Sequence, residues 1–307
     1  MNTKTLYSYF LMVAVALSAS VAQAADKYLP FSLGSETAGT IADKLEETKA
    51  ALQANGFEIA GEYSPFKGAH IVVVTNGELK SAAKGERGGY IAAQRVSLTE
   101  VGDKIQVSYT NPFYMAKAYR VESELKGTSA ALQKALGHKK DFGPEEGLTP
   151  SKLAKYHYTF GMEYFDEPLA LARAGSRDTL VNTIEKNLAA NKGGAMKVYR
   201  IDIPGTAQTL FGVGMKAPNE GKKYMDEGFI MSEIDFKPTR STAHLPYEIL
   251  VNGNEAEALH ARFRIAINFP DLSMMGDNSF MNIMSTPDAI RDLLTAVAGG
   301  KVKDSDF

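Results

Sequence analysis

Tyr90–Pro112 reads YIAAQRVSLTEVGDKIQVSYTNP, and its alternation decides the fold class. Val96 and Leu98 on one side, and Ile105, Val107 and Tyr109 on the other, alternate with polar residues about a Gly102-Asp103 turn. A period of two interrupted by a turn pair predicts two antiparallel strands. The run closes on Asn111-Pro112, because proline cannot donate to a continuing ladder. A second stretch, LPYEILVNGNEAEALHARFRIAINFP (Leu245–Pro270), reads as the same object, with Asn252-Gly253 at its turn and Pro270 at its close.

The recurrence extends outward in both directions, which is the signature of an internal repeat. Upstream of the first stretch, Ser35–Gln53 places Ile41, Leu45 and Leu52 on one helical face, and Asn55-Gly56 stops it. Upstream of the second, Ser176–Lys192 has Ser176 as N-cap, Asp178 in the first turn and Leu180, Ile184 and Leu188 four apart. Each helix leads into a strand ending on proline (Pro65, Pro204), then an apolar strand, Ala69–Thr75 or Ala207–Met215. Each copy ends on a helix, Ser129–Gly137 or Ser285–Ala298.

Gly56 and Gly194 are 138 residues apart, Pro65 and Pro204 are 139, and Pro112 and Pro270 are 158. The difference places about twenty extra residues within 216–244 of the second copy. The first copy has only the glycine- and lysine-rich NGELKSAAKGERGG there, which reads as a loop. The predicted organisation is a signal peptide (1–24), a first α+β repeat (25–138), a linker (139–155), a second repeat (156–300) and a polar tail (301–307). Tyr156–Phe165 alternates aromatics and reads as an extra strand. The fold class expected is α+β: two duplicated domains, each a mainly antiparallel sheet with helices on one face, arranged as a pseudo-dimer.

The helix ending in ANGFEI, the strand HIVVVTN, and VSLTEVGDKIQVSYTNPFYMAKAY after them resemble the domain of unknown function 302 family. In the second copy, HLPYEILV and FRIAINFPDLSM carry the resemblance. It covers about residues 31–137 and, more loosely, 169–299. The turns after the apolar strands, Thr75-Asn76-Gly77 and Lys216-Ala217-Pro218, depart from the family's Gly-Asn-Pro. The first copy also has Ala92-Ala93 where the leucine-proline pair stands in the second. The resemblance implies a compact α+β domain with no established reaction and no catalytic residue to carry over.

The N-terminus predicts a compartment. One positive charge precedes an uncharged, mostly apolar run from Leu6 to Val21, followed by Ala22-Gln23-Ala24. That is a secretory signal cleaved after Ala24, and it predicts a periplasmic or secreted protein with no membrane span after cleavage. The chain has no cysteine, which excludes disulfides, thiol chemistry and cysteine-zinc sites. A net charge of −2 with interspersed signs offers no basic patch for nucleic acid.

No motif in the sequence carries catalysis. None of the histidines (His70, His138, His157, His244 and His260) has a partner at metal-site spacing. His138 reads as a helix-end residue and His157 as a strand residue. No G-x-S-x-G elbow or phosphate loop occurs; Gly212 and Gly214 alternate as strand positions of close approach. Glu145-Glu146 and Asp226-Glu227 read as solvated surface.

Methionine is the unusual feature. Met196, Met215, Met225, Met231, Met274, Met275, Met281 and Met284 all follow residue 195, and the last four fall within eleven residues. Thioethers can ligate Cu(I), which makes Met275, Met281 and Met284 candidate soft-metal ligands. Unbranched Met also fills gaps or lines adaptable apolar surfaces. Met274 reads as a scaffold position, the counterpart of Met115 after the first Asn-Pro. The functional expectation is a monomeric, non-enzymatic binding module without a cofactor, for a small apolar ligand or an envelope protein. Methionine-based copper handling or an enzyme with an unrecognised site are the alternatives.

Overall fold

The computed structural model describes residues 26–159 and 161–302; the expected signal peptide and most of the polar tail lie outside them. The fold is α+β around one antiparallel sheet of eleven strands. In the first part of the chain these are β1 (Phe31–Ala38), β2 (Glu58–Tyr63), β3 (Ala69–Thr75), β4 (Gln94–Val101), β5 (Lys104–Thr110) and β6 (Lys140–Phe142). The rest are β7 (Leu169–Arg173), β8 (Ala195–Asp202), β9 (Gln208–Met215), β10 (Tyr247–Asn252) and β11 (Glu255–Ala258). Their order across the sheet is β6-β1-β5-β4-β3-β2-β8-β9-β10-β11-β7. The predicted turns are in place: Val101 pairs with Lys104 across Gly102, and Asn252 with Glu255 across Gly253, both glycines at positive φ.

β2 and β8 meet through Gly61 and Tyr199, at the middle of the sheet. A Cβ on Gly61 would collide with the Val198 carbonyl, so this close approach requires glycine.

The sheet is covered on both faces, not one. Val72 and Val74 of β3 and Val96 and Leu98 of β4 pack beneath α1 (Ile41–Ala54) and α4 (Lys126–Leu136) through Leu52, Leu132 and Leu136. Ile71 and Val73 point the other way, into the larger core that continues under β8–β10. There the cover comes from 216–244, the predicted insertion, which contains α7 (Glu227–Ile234) and a 3-10 turn at Thr242–His244. Thr99 Oγ1 donates to Thr242 Oγ1 at 3.0 Å, and Gln106 Nε2 donates to the Pro238 carbonyl at 2.9 Å. The interval in the first copy is no loop either. It forms α2 (Gly77–Ala82) and a buried 3-10 turn at Gly88–Ile91, whose Gly89 N donates to Gln208 Oε1 of β9 at 3.0 Å.

Several boundaries move for local reasons. Ser35–Ala38 finishes β1, paired with β5, and α1 begins after Gly39, with Thr40 Oγ1 accepting from Asp43 N at 3.2 Å. Ser176 caps α6 (Arg177–Ala189) as expected, with Leu180, Ile184 and Leu188 buried. The second hairpin does not run to Pro270. Ala261–Asn268 is a helix, α8, capped by His260 and buried on nearly every side. Arg262 and Arg264 alternate with Phe263 and Ile265, a period of two that reads as strand, but Arg264 is buried with the apolar residues, so the alternation does not mark a solvent face. Pro112 opens α3 (Pro112–Ala118), whereas Pro270 follows α8. Asn111-Pro112 and Asn268-Phe269-Pro270 therefore lie at opposite ends of helices, and Met274 is not the counterpart of Met115.

Residues 139–155 are packed structure and no free linker: β6 extends the sheet beside β1, Tyr28 bridges to Leu148, and α5 (Pro150–Ala154) follows. Tyr156–Phe165 contributes no strand among its described residues; Tyr156 and Tyr158 instead donate hydroxyls to the carbonyls of Ala266 and Leu272.

Replacing Gly61 with valine should lower stability by on the order of 1–3 kcal/mol or more, since an inserted branched side chain forces backbone apart. Urea unfolding of the two proteins measures it; a midpoint unchanged by the substitution would refute the close approach.

Candidate functional site

The most constrained chemistry lies in the interior. Glu248 of β10 is buried and accepts from Arg95 Nη1 of β4 at 3.0 Å, from Tyr199 OH of β8 at 2.9 Å and from Arg264 Nη1 of α8. Arg95 Nε donates to the Ala243 carbonyl at 3.0 Å, and Arg264 Nη2 to the carbonyls of Pro246, at 3.0 Å, and His244. Both arginines and the glutamate are at most 3% exposed. Space for the Tyr199 ring comes from Gly212 opposite, where a Cβ would overlap the ring; the glycine that reads as a close-approach position admits a ring rather than a strand. The carboxylate is saturated and its guanidinium partners are held by main-chain oxygens, so this is a structural centre and not a reactive one. Burial pushes the Tyr199 hydroxyl well above its usual range, and burial, with Arg264 and Arg95 nearby, holds His244 neutral.

The expected soft-metal residues sit elsewhere, on the surface. Met275, Met281 and Met284 are 71%, 49% and 59% exposed, and Met274 is 40% exposed. They belong to a folded-back loop in which Phe280 N donates to the Ser273 carbonyl at 2.8 Å and Met281 N to the Met274 carbonyl at 3.2 Å. Met274 closes one side of a narrow apolar crevice with Tyr158, Met162, Ile265, Phe269, Leu272 and Phe280. Among the described residues no group of three or more His, Cys, Asp or Glu is placed to hold a metal ion. His157 packs on Tyr164 with ring centres 4.5 Å apart. His138 lies 3.8 Å from Asp141, and His260 lies 3.2 Å from Glu163, which Arg262 also binds.

Sequence reasoning missed two features. The first is a polar groove of about 1680 Å³ between α2, the turn after α3 and Phe165-Asp166. Arg120 forks onto Asp166 at 2.6 and 2.8 Å there, and Arg87 contacts Glu257 at 3.1 Å. Both arginines have positive φ, an uncommon conformation that no residue-type signal announces.

The second is a pair of buried acids on α7. Glu227, read as surface, is 1% exposed and accepts from Tyr63 OH at 3.1 Å. Burial pushes its carboxyl up to about 8. Asp235, just past the helix, is raised by burial to about 6 and accepts from Ser241 N at 2.7 Å and Thr242 Oγ1 at 3.1 Å. A charged residue at a helix start is ordinarily solvated, and only the packing of α7 against β2 and β9 reverses this.

No family model matches this chain, and neither a curated protein nor a solved structure matches it.

Glu248→Gln should cost about 3–5 kcal/mol, because it removes the charge holding two buried guanidinium groups. Denaturant unfolding measures this, and a loss under about 1 kcal/mol would show that the arginines find compensation elsewhere.

Proposed function

We propose that this protein is an exported, periplasmic, non-enzymatic binding module whose methionine surface holds a small apolar ligand or an apolar segment of an envelope protein. The observation that carries the reading is where exposed apolar side chains collect. Of the seven large hydrophobic side chains exposed among the described residues, four are the methionines of 274–284, and one of them, Met274, lines the crevice. Exposed apolar clusters mark contact sites, and methionine adapts its shape to what it meets. The signal-like N-terminus supports export.

The same reading treats the chain as two copies of one α+β unit, on which the resemblance to the domain of unknown function 302 family would cover both halves. The sheet order supports it: β1-β5-β4-β3-β2 is followed by β8-β9-β10-β11-β7, the same sequence of elements in reverse. The β3–β4 connection touches β9, and the β9–β10 connection touches β4. A covalent pseudo-dimer of this kind uses its dimer surface internally and remains a monomer. Light scattering should give the mass of one mature chain; a dimeric mass would count against this arrangement.

A thermal-shift series of residues 25–307 with medium-chain lipids and quinones tests the binding reading. A ligand at a hundred times its Kd should stabilise by about 2.7 kcal/mol, roughly 5–10 °C for a chain of this size. Changing Met274, Met275, Met281 and Met284 together to serine should abolish the shift, and changing all four to leucine should keep it. No shift with any compound, or a shift that survives the serines, refutes the reading. Cu(I) retained against a chelator by the wild type and lost with the leucines would favour copper handling through Met275, Met281 and Met284, since leucine is apolar but cannot ligate.

A further inference from the structure

α7 joins the polar interior to the methionine surface, and it is held at both ends in an unusual way. At its start, Asp226 caps the helix, Oδ1 accepting from Phe229 N at 3.0 Å and Oδ2 from Ala217 N at 2.9 Å. Glu227, the next residue, turns inward beneath Tyr63. At the far end, Asp235 ties the returning chain, and Thr242 passes the connection to Thr99 of β4. Each end borders a solvent-open cleft. One, of about 790 Å³, has Tyr63, Phe66, Met196, Met215 and Glu227 in its walls; the other, of about 800 Å³, has Phe66, Thr99, Met231 and Asp235. The Phe66-Lys67-Gly68 tip is common to both clefts. The helix is thus seated between two openings by buried carboxyl groups, with Ile230, Met231 and Ile234 as its apolar contacts.

Its outer side reaches the methionine loop directly. Asn282 Nδ2 donates to Glu233 Oε2 at 2.8 Å, and Lys237, three residues past the helix, pairs with Asp271 at 2.5 Å. A shift of α7 cannot leave residues 271–282 unchanged.

We propose that α7 is a proton-operated latch: with Glu227 protonated it is seated across the sheet, and loss of that proton frees its first turn and loosens the methionine surface. The proposal rests on the binding reading only for what the surface holds. Charged and titratable groups around Glu227 are Tyr63 from β2, Arg264 from α8, Tyr247 from β10, Asp226 on its own turn and, in the cleft, Lys67 and Lys216. Around Asp235 they are Arg240 and, across the cleft, Glu100 and Lys67. Arg264, whose charge acts on Glu227, is already committed to Glu248, so an ionised Glu227 lacks a dedicated ionic partner. The sign follows. Burial raises both acids, so each contributes stability below its ordinary value, and that contribution is lost as pH rises through about 6 for Asp235 and about 8 for Glu227. Both acids keep a main-chain and a hydroxyl donor when ionised, from Met215 and Tyr63 for Glu227 and from Ser241 and Thr242 for Asp235, but Asp235 also has the Arg240 cation beside it, which makes Glu227 the release point.

Hydrogen exchange of the full chain between pH 6.5 and 9.5, corrected for the intrinsic rate, reads the latch without any ligand. Protection of 226–236 should fall about tenfold near pH 8, with a smaller fall in 273–284, while β3 and β4 keep theirs. Glu227→Gln should remain protected throughout. If that variant is poorly folded, Tyr63→Phe serves: removing the donor that favours the anion should move the fall to higher pH. Constant protection in the wild type, the same fall in Glu227→Gln, an unmoved midpoint in Tyr63→Phe, or opening confined to 226–236 overturns the latch or its link to the surface. Failure of the lipid and quinone series leaves this exchange result standing, so the two readings fail separately.

Discussion

The fold is organised around a buried carboxylate shared by two guanidinium groups. Removing three charges from water costs several kcal/mol each unless attraction and hydrogen bonds replace hydration. Glu248 supplies both oxygens, Tyr199 adds a donor, and the carbonyls of Ala243, Pro246 and His244 accept from Arg95 Nε and Arg264 Nη2. These groups come from β4, β8, β10, α8 and the chain before β10, and the charges find their partners only when all five are in place. The network therefore ties the strands on either side of the Gly61–Tyr199 contact into one sheet, and it accounts for the glycine at 212 that makes room for the Tyr199 ring.

The segment 216–244 has two consequences from one placement. Laid over the face of β3–β5 opposite α1 and α4, it supplies cover that the first copy's own helices leave undone. Lying between the buried polar centre and the loop of 273–284, it also gives that loop a mechanical neighbour. Its interior contacts are made by Met225, Ile230, Met231 and Ile234 together with two buried carboxyl groups, Glu227 and Asp235. Its outer contacts are polar and exposed, as a segment that moves requires.

The helices with a clean stripe were readable from residues alone. Leu180, Ile184 and Leu188 behind a Ser176 cap predict α6 and are buried in it, and the turns at Gly102 and Gly253 stand where alternation puts them. Ala261–Asn268 was not readable, because Arg262 and Arg264 alternate with apolar residues as on a strand while Arg264 is in fact buried. Glu227 was not readable for a related reason: nothing local distinguishes a carboxylate that packing will bury from one left in water. The methionines were recognisable as unusual, but core filler and exposed lip share one composition: Met215, Met225 and Met231 are buried, while Met274, Met275, Met281 and Met284 are exposed.

By itself the sequence determined the α+β class, the two hairpin turns and the freedom from cysteine chemistry. These follow from short-range patterning, which each segment carries within itself. Tertiary structure decided that the strands form one continuous sheet, that 216–244 lies over β3–β5, and that Arg95, Glu248 and Arg264 meet. Most of those outcomes depend on contacts between residues far apart in the chain, 143 positions for Thr99 and Thr242 and 153 for Arg95 and Glu248. Desolvation and close packing set their energies, and both exist only once the surfaces have come together.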